Sequence, residues 1–232
     1  NKDFIETVIA FTEKNIAEIN FWWNYFSQRF FSFQWNEFQI MKRIPWKSVE
    51  IDDVNDEIIQ KTSKYLWKFH AWILDFQNTW NYFKINNFKD VFHFRDRAQK
   101  YISDCNNTYI KNVFHDINTV LGNKKENPLL PTWVIHGDPS FKNFLIDADR
   151  NITGLIDYDM MSVEVLLWDL SDMIRSYLKI DSFDKNSFHL LIKSYNTFRK
   201  LSPEEETSLQ DYCIMMICNT GFRYIISYFE DT

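Results

Sequence analysis

Glycine is nearly missing from this sequence. Its 232 residues hold four, Gly122, Gly137, Gly154 and Gly221, and no two lie close together. A glycine-rich loop that cradles phosphates through its backbone therefore cannot be written anywhere in the chain. Cysteine is also scarce. Cys105, Cys213 and Cys218 form an odd set with no Cys-x-x-Cys or Cys/His zinc spacing, which reads as free thiols in a reducing compartment. No apolar run reaches the roughly 18 residues of a membrane span, and the opening Asn-Lys-Asp-Phe-Ile-Glu does not resemble a signal peptide. No membrane partner and a cytoplasmic location are the expectation. There is no basic excess either: the net charge is −6, which argues against a protein that tracks nucleic-acid phosphates. Oligomeric state leaves no mark.

What is present is a large supply of rings. Aromatics make up 18% of the chain, 22 of them Phe, within a hydrophobic content of 45% and a charged content of 25%. That composition builds a globular core of one large domain or two small lobes. Helical spacing runs over 4–26 (Phe4, Ile5, Val8, Ile9, Phe11, Ile16, Ile19), and strands are expected at 30–35 and 37–44, the second stopped by Pro45. Asp52, Asp53 and Asn55 offer caps for a helix over about 55–76, a loop is read at 78–90, and helix returns over about 91–121. Gly122 to Pro131 is a turn-rich connector. Short strands are expected at Thr132–Ile135, Phe144–Ile146 and Ile152–Ile156, then helices near 163–179, 184–199 and 203–229. The last opens on Ser202-Pro203-Glu204-Glu205-Glu206, with a capping Ser, Pro at the first helical position and acids in the first turn.

Polar residues gather between those three short strands. Val134 and Ile135 lead into His136, Gly137 and Asp138; Asn143 follows; Leu155 and Ile156 then run into Asp157, with Asp159 just beyond. One of these residues alone reads as a turn or a cap. Together, in order, they match what phosphoryl transfer requires. One carboxylate orients the attacking hydroxyl and takes its proton, while an amide oxygen and a second carboxylate hold Mg²⁺, which prefers hard oxygen ligands.

The ordered set His-x-Asp-x4-Asn…Asp resembles the kinase-like fold. With Ile156-Asp157-Tyr158-Asp159 in place of Asp-Phe-Gly, it is similar to the aminoglycoside phosphotransferase and choline kinase group rather than to protein kinases. That resemblance implies an α+β, protein-kinase-like fold. Residues 45–232 would form a mostly helical catalytic lobe, and residues 1–44 a reduced or truncated nucleotide lobe that includes the hinge. It implies Asp138 as the base, Asn143 and Asp157 as Mg²⁺ ligands, His136 as a brace beneath the loop, and Asp159 as an aid to metal or substrate. Phe38–Ile44 matches the hinge, so Met41, Lys42 and Arg43 would meet the adenine of ATP or GTP. No Lys on a small-lobe strand can be identified.

A looser resemblance, over about 37–230, is to sugar 1-kinases of the N-acetylhexosamine type. It rests on Trp168-Asp169-Leu170-Ser171-Asp172-Met173-Ile174-Arg175-Ser176 and on Phe222–Phe229, with Leu66–His70 and Asn86–Asp90 upstream. It implies that Asp169 braces the catalytic loop, and that Arg175 and Arg223 bind substrate or phosphate through their guanidinium forks. A helical Arg is otherwise an ordinary surface residue. The chain departs from those kinases at Pro139 and Ser140 and again at Met160–Glu164. The expected activity is a small-molecule kinase whose acceptor is a sugar or amino sugar. An aminoglycoside or choline-type kinase is the first alternative, because an acidic chain attracts cations. A catalytically inactive kinase-like binding module is the alternative of another class.

Overall fold

The computed structural model describes residues 29–33, 36–40, 46–73, 88–177 and 184–230. The helix read over 4–26 and the hinge residues Met41, Lys42 and Arg43 lie outside them. The architecture is α+β and kinase-like: a small β unit and a larger, mostly helical one. The chain divides into two units, Asn1–Lys47 and Ser48–Thr232. In the first, strands β1 (Arg29–Phe33) and β2 (Asn36–Ile40) form an antiparallel hairpin, with Arg29 opposite Ile40 and Phe33 opposite Asn36.

Among the described residues, the helices and two small sheets fall in the second unit. Strand β3 (Lys47–Ser48), at the division itself, is followed by Val49, whose N–H donates to Phe144 O at 2.9 Å. Helix α1 (Asp56–Ile73) starts where Asn55 Oδ1 accepts the Ile58 N–H at 3.0 Å, and it buries Ile58, Ile59, Leu66 and Phe69. The continuous helix expected over 91–121 is in fact two, α2 (Val91–Asp104) and α3 (Thr108–Leu121). The chain turns extended at Cys105, and the Asn107 side chain accepts the N–H groups of Tyr109 and Ile110. Those are two of the donors that a new helix leaves without partners, so Asn107 starts a second helix where apolar spacing alone reads through.

Strands β4 (Thr132–Ile135), β5 (Phe144–Ile146), β6 (Ile152–Leu155) and β7 (Ser162–Val165) follow. One sheet pairs β4 with β7, Ile135 opposite Ser162; the other runs β3-β5-β6, with Phe144 opposite Leu155. Strand β7 occupies the start of the expected helix at 163. Its Val163-Glu164-Val165 alternation suits an edge pair, but its partner lies far upstream, so a local reading does not find it.

Helices α4 (Leu167–Tyr177), α5 (Lys185–Asn196) and α6 (Pro203–Glu230) complete the unit. Helix α6 packs against α2, α3 and α4, and α1 packs against α5. Every residue of α4 but Arg175 is buried, including Asp169, Ser171, Asp172 and Ser176. A helix buried on all sides is ordinarily apolar throughout, so these polar residues need partners inside the protein. The start of α6 is a capping box: Ser202 Oγ accepts the Glu205 N–H at 3.2 Å, and Glu205 Oε2 accepts the Ser202 N–H at 2.8 Å.

Replacing Asn107 by Ala removes the cap of α3 and is expected to destabilise the protein by about 1 kcal/mol in urea melts followed by circular dichroism. An unchanged midpoint would mean that packing alone sets the break between α2 and α3.

Candidate functional site

The site is built on the turns that leave β4 and β6. Val134 and Ile135 are buried and fix the direction in which the chain enters His136. The register of β5 and β6 continues past the strand ends, where the Ile156 N–H donates to Asn143 O at 2.8 Å. That bond sets Asn143 beside the segment that enters Asp157. Asn143 Nδ2 donates to Asp138 O at 2.7 Å and to Asp138 Oδ2 at 3.2 Å. His136, Asp138, Asn143 and the start of the Asp157 turn are thus joined by hydrogen bonds.

Two backbone features hold these turns in place. Gly137 has φ +87°, and a Cβ there would sit 2.0 Å from Met160 O, so only glycine fits. The loop thereby presses against the 3-10 turn Tyr158–Met160. Asp157 itself is left-handed, at φ 68° and ψ 62°. Asp tolerates this region better than most residues, but at a cost, and such conformations collect where a side chain must be aimed.

His136 is fully buried and bonded through both nitrogens. Its Nε2 lies 3.0 Å from Ile156 O, and its Nδ1 accepts the Asp138 N–H at 3.3 Å. A carbonyl only accepts and an amide N–H only donates, so the ring is the neutral tautomer with hydrogen on Nε2. Burial pushes its pKa down from 6.5 to about 4, more than the nearby Asp169 charge can offset.

Asp169 is also fully buried. Its Oδ2 accepts the His136 N–H at 2.7 Å, its Oδ1 accepts the Gly137 N–H at 2.8 Å, and His70 Nε2 faces Oδ2 at 2.9 Å. Burial alone would raise this carboxyl. The His70 hydrogen bond and charge, with further help from His136 and Lys89, outweigh that and leave it below its ordinary value. His70 Nδ1 continues the chain to Tyr195 OH at 2.9 Å.

Asp138 is held above its ordinary value, first by burial and then by the Asp172 charge, against the opposing pull of Lys89, Arg175 and Asn143. Arg175 pairs with Asp172 Oδ1 at 2.7 Å. Arg223 is exposed, with its guanidinium stacked over Phe88 at 4.6 Å and over Phe94 at 6.0 Å. The Asp159 side chain lies outside the described part. Three residues with no assigned role from sequence enter the network: His70, Lys89 and Asp172. His70 left a trace, since it follows Thr62, Ser63 and Leu66 on the buried face of α1. Lys89 left none.

The donor set suits Mg²⁺. Because Asn143 Nδ2 must face the Asp138 carbonyl, the amide oxygen points away from Asp138. Among the described residues no three His, Cys, Asp or Glu side chains group as metal ligands. One amide oxygen and one exposed carboxylate, Asp157, are what remains. That is enough for an ion held mainly by nucleotide phosphates and water. No helix among the described residues is long and apolar enough to cross a membrane.

Two predictions follow from the buried network. Between pH 6.5 and about 4 the unfolded chain protonates His136 while the folded chain does not, so stability falls as pH drops through that window. The loss approaches about 3 kcal/mol at the lower end. His136→Asn, which does not titrate, should flatten the dependence of denaturation midpoint on pH; an equal slope in both proteins would reject the assignment. Asp169→Asn turns an amide N–H₂ toward donors and is expected to cost about 3–5 kcal/mol in the same melts. A loss under about 1 kcal/mol would show that the carboxylate is not the tie it resembles.

The sequence matches the model of the APH phosphotransferase enzyme family over residues 31–185. No curated relative matches it. Solved structures with a similar fold include an ethanolamine kinase from Plasmodium vivax, at 11% identity and a TM-score of 0.58, covering 99% of this chain and 67% of that one. A choline/ethanolamine kinase family protein from Mesorhizobium loti is 17% identical at a TM-score of 0.56, over 84% of this chain and 63% of that one. A choline kinase from Streptococcus pneumoniae is 12% identical at a TM-score of 0.62, over 100% of this chain and 74% of that one. The chain thus spans about two thirds to three quarters of these proteins, and at such identities the likeness is one of fold.

Proposed function

This chain belongs to the APH phosphotransferase enzyme family, and from that premise we propose that it transfers the γ-phosphoryl group of ATP or GTP to the hydroxyl of a small amine-bearing molecule. The observation that carries this reading is the hold on Asp138. Asn143 binds one carboxylate oxygen and the backbone carbonyl of Asp138, and the second oxygen takes no hydrogen bond from the described residues. That free oxygen is the one to receive an acceptor hydroxyl.

In the proposed reaction Asp138 orients the hydroxyl and accepts its proton as the acceptor oxygen attacks the γ-phosphorus and the nucleoside diphosphate departs. Its raised proton affinity suits a group that must take a proton in the transition state. Asn143 Oδ1 and the Asp157 carboxylate would hold Mg²⁺, which when bound neutralises charge on the phosphate oxygens. Asp169 and His136 do no chemistry on this reading. They keep the Asp138 peptide and the Asp157 turn at a constant separation.

Two observations favour an amine-bearing acceptor over a neutral sugar. Several structures of similar fold are named for choline or ethanolamine, alcohols that carry a cationic nitrogen, and others for aminoglycosides. The chain is acidic, at a net charge of −6, and attracts cations. The sugar-kinase resemblance of Trp168–Ser176 points instead to N-acetylated sugars, whose amide nitrogen is uncharged, and is the reading the panel below tests against the amine.

Turnover and thermal shift with ATP–Mg²⁺ and GTP–Mg²⁺, across choline, ethanolamine, aminoglycosides, glucosamine and N-acetylglucosamine, test the proposal. Phosphorylation of an amine-bearing acceptor is expected, and Asp138→Ala should lower kcat by about 100-fold or more with nucleotide-linked stabilisation retained. Turnover of a neutral sugar alone would reject the amine. Neither stabilisation nor turnover would leave a kinase-like module without catalysis.

A further inference from the structure

We propose that Lys89 is a positioning residue of the catalytic loop: its ammonium pins the Gly137 carbonyl and so sets the plane of the peptide that carries Asp138. This rests on the reading of Asp138 as the base. Lys89 is 5% exposed, and its Nζ donates to Gly137 O at 2.6 Å. The same peptide is held at its other end, where the Asp138 N–H donates to His136 Nδ1. The peptide before it is held by Asp169 Oδ1 on the Gly137 N–H, and Met160 O closes off the Gly137 Cα. Around Gly137 there is therefore an anion on one side, a cation on the other and a backbone wall. Charge-assisted hydrogen bonds of this kind are stronger and shorter than neutral ones.

The lysine is itself held in place. The preceding carbonyl, Phe88 O, accepts from Asn219 Nδ2 of α6 at 3.3 Å, and the following residue, Asp90, caps α2. Asp172 Oδ2 lies 3.8 Å from Nζ, while Arg175 takes the other oxygen, Oδ1. Arg175 thus completes the series Arg175, Asp172, Lys89, Gly137 and acts on the loop through Asp172. Burial, with Arg223 adding to it, holds the Lys89 ammonium below its ordinary proton affinity, while Asp172, Asp169 and Asp138 oppose that fall. A neutral donor would satisfy a lone carbonyl at less desolvation cost. An ammonium also balances the carboxylates that crowd this loop, which a neutral donor would not.

The test uses the full chain with Lys89→Met, Lys89→Gln and Lys89→Arg. Two readouts are taken on variants whose thermal melts show a folded protein. The first, independent of activity, is hydrogen exchange at the Gly137 and Asp138 amides, expected to quicken by about tenfold in Met and Gln and to stay near wild type in Arg. The second is steady-state kinetics with ATP–Mg²⁺ and the best acceptor of the panel above. kcat is expected to fall by about 100-fold in Met and Gln with both KM values within about threefold, and to recover substantially in Arg. Unchanged exchange in folded Met or Gln variants overturns the proposal. So does a rise in KM with kcat intact, which would make Lys89 a substrate-binding group. A quickened loop with unaltered kcat overturns it as well. If no acceptor is turned over, the reading of Asp138 fails on the wild-type protein, while the exchange result still decides whether Lys89 holds the loop.

Discussion

A carboxylate taken out of water is stable inside a protein only if its lone pairs are filled, and Asp169 is taken out completely. Its two oxygens receive the N–H groups of His136 and Gly137 and face the ring of His70. None of these can be supplied until α1, α4 and the turn after β4 are all in place. The cost of burying the charge therefore becomes a condition on assembly. Helix α4 can sink into the core only if the loop arrives in one geometry, because another geometry leaves an unpaired charge among Trp168, Leu170 and Met173. His70 extends the condition to α5 through Tyr195.

The rest of the site uses the same logic with smaller parts. The polar residues of α4 lie on a helix with almost no solvent face, and each charged one answers to the loop. Asp169 takes the amides of His136 and Gly137, and Asp172 stands between Lys89 and Arg175. Helix α6 contributes indirectly, by carrying Asn219 to the turn that presents Lys89. On the proposed reading the reacting groups sit at the ends of short strands, and the buried groups of α1 and α4 determine where those ends point.

The His136–Asp138–Asn143–Asp157 set was legible because each residue sits at a fixed offset from an apolar strand, and such offsets survive in one dimension. The capping box at Ser202 was legible for the same reason: its two residues, Ser202 and Glu205, interact within one turn of helix. The break at Asn107 was not, because Val91 to Leu121 keep apolar spacing across it. Strand β7 was missed because a four-residue strand is defined by a partner that lies elsewhere in the chain. Lys89 and Asp172 lie in runs that carry the sugar-kinase resemblance, which assigns neither a role; only the fold brings them to 3.8 Å. Arg175 and Arg223 were visible, but as cations without partners. In the fold one is engaged by Asp172 and the other lies over Phe88.

The two sheets of the larger unit share no backbone ladder; β4 pairs with β7, and β5 with β6. The His136 ring bridges them. One of its nitrogens is tied to the chain just beyond β6 and the other to the chain just beyond β4. The imidazole is thus a rung of fixed length between the two ladders. Alongside the Asn143 bonds to Asp138 and Ile156, a ring that neither stretches nor bends holds the turn bearing Asp138 beside the turn bearing Asp157. On the reading proposed above, a reaction sensitive to fractions of an ångström would be gauged by one of the stiffest objects a side chain can offer.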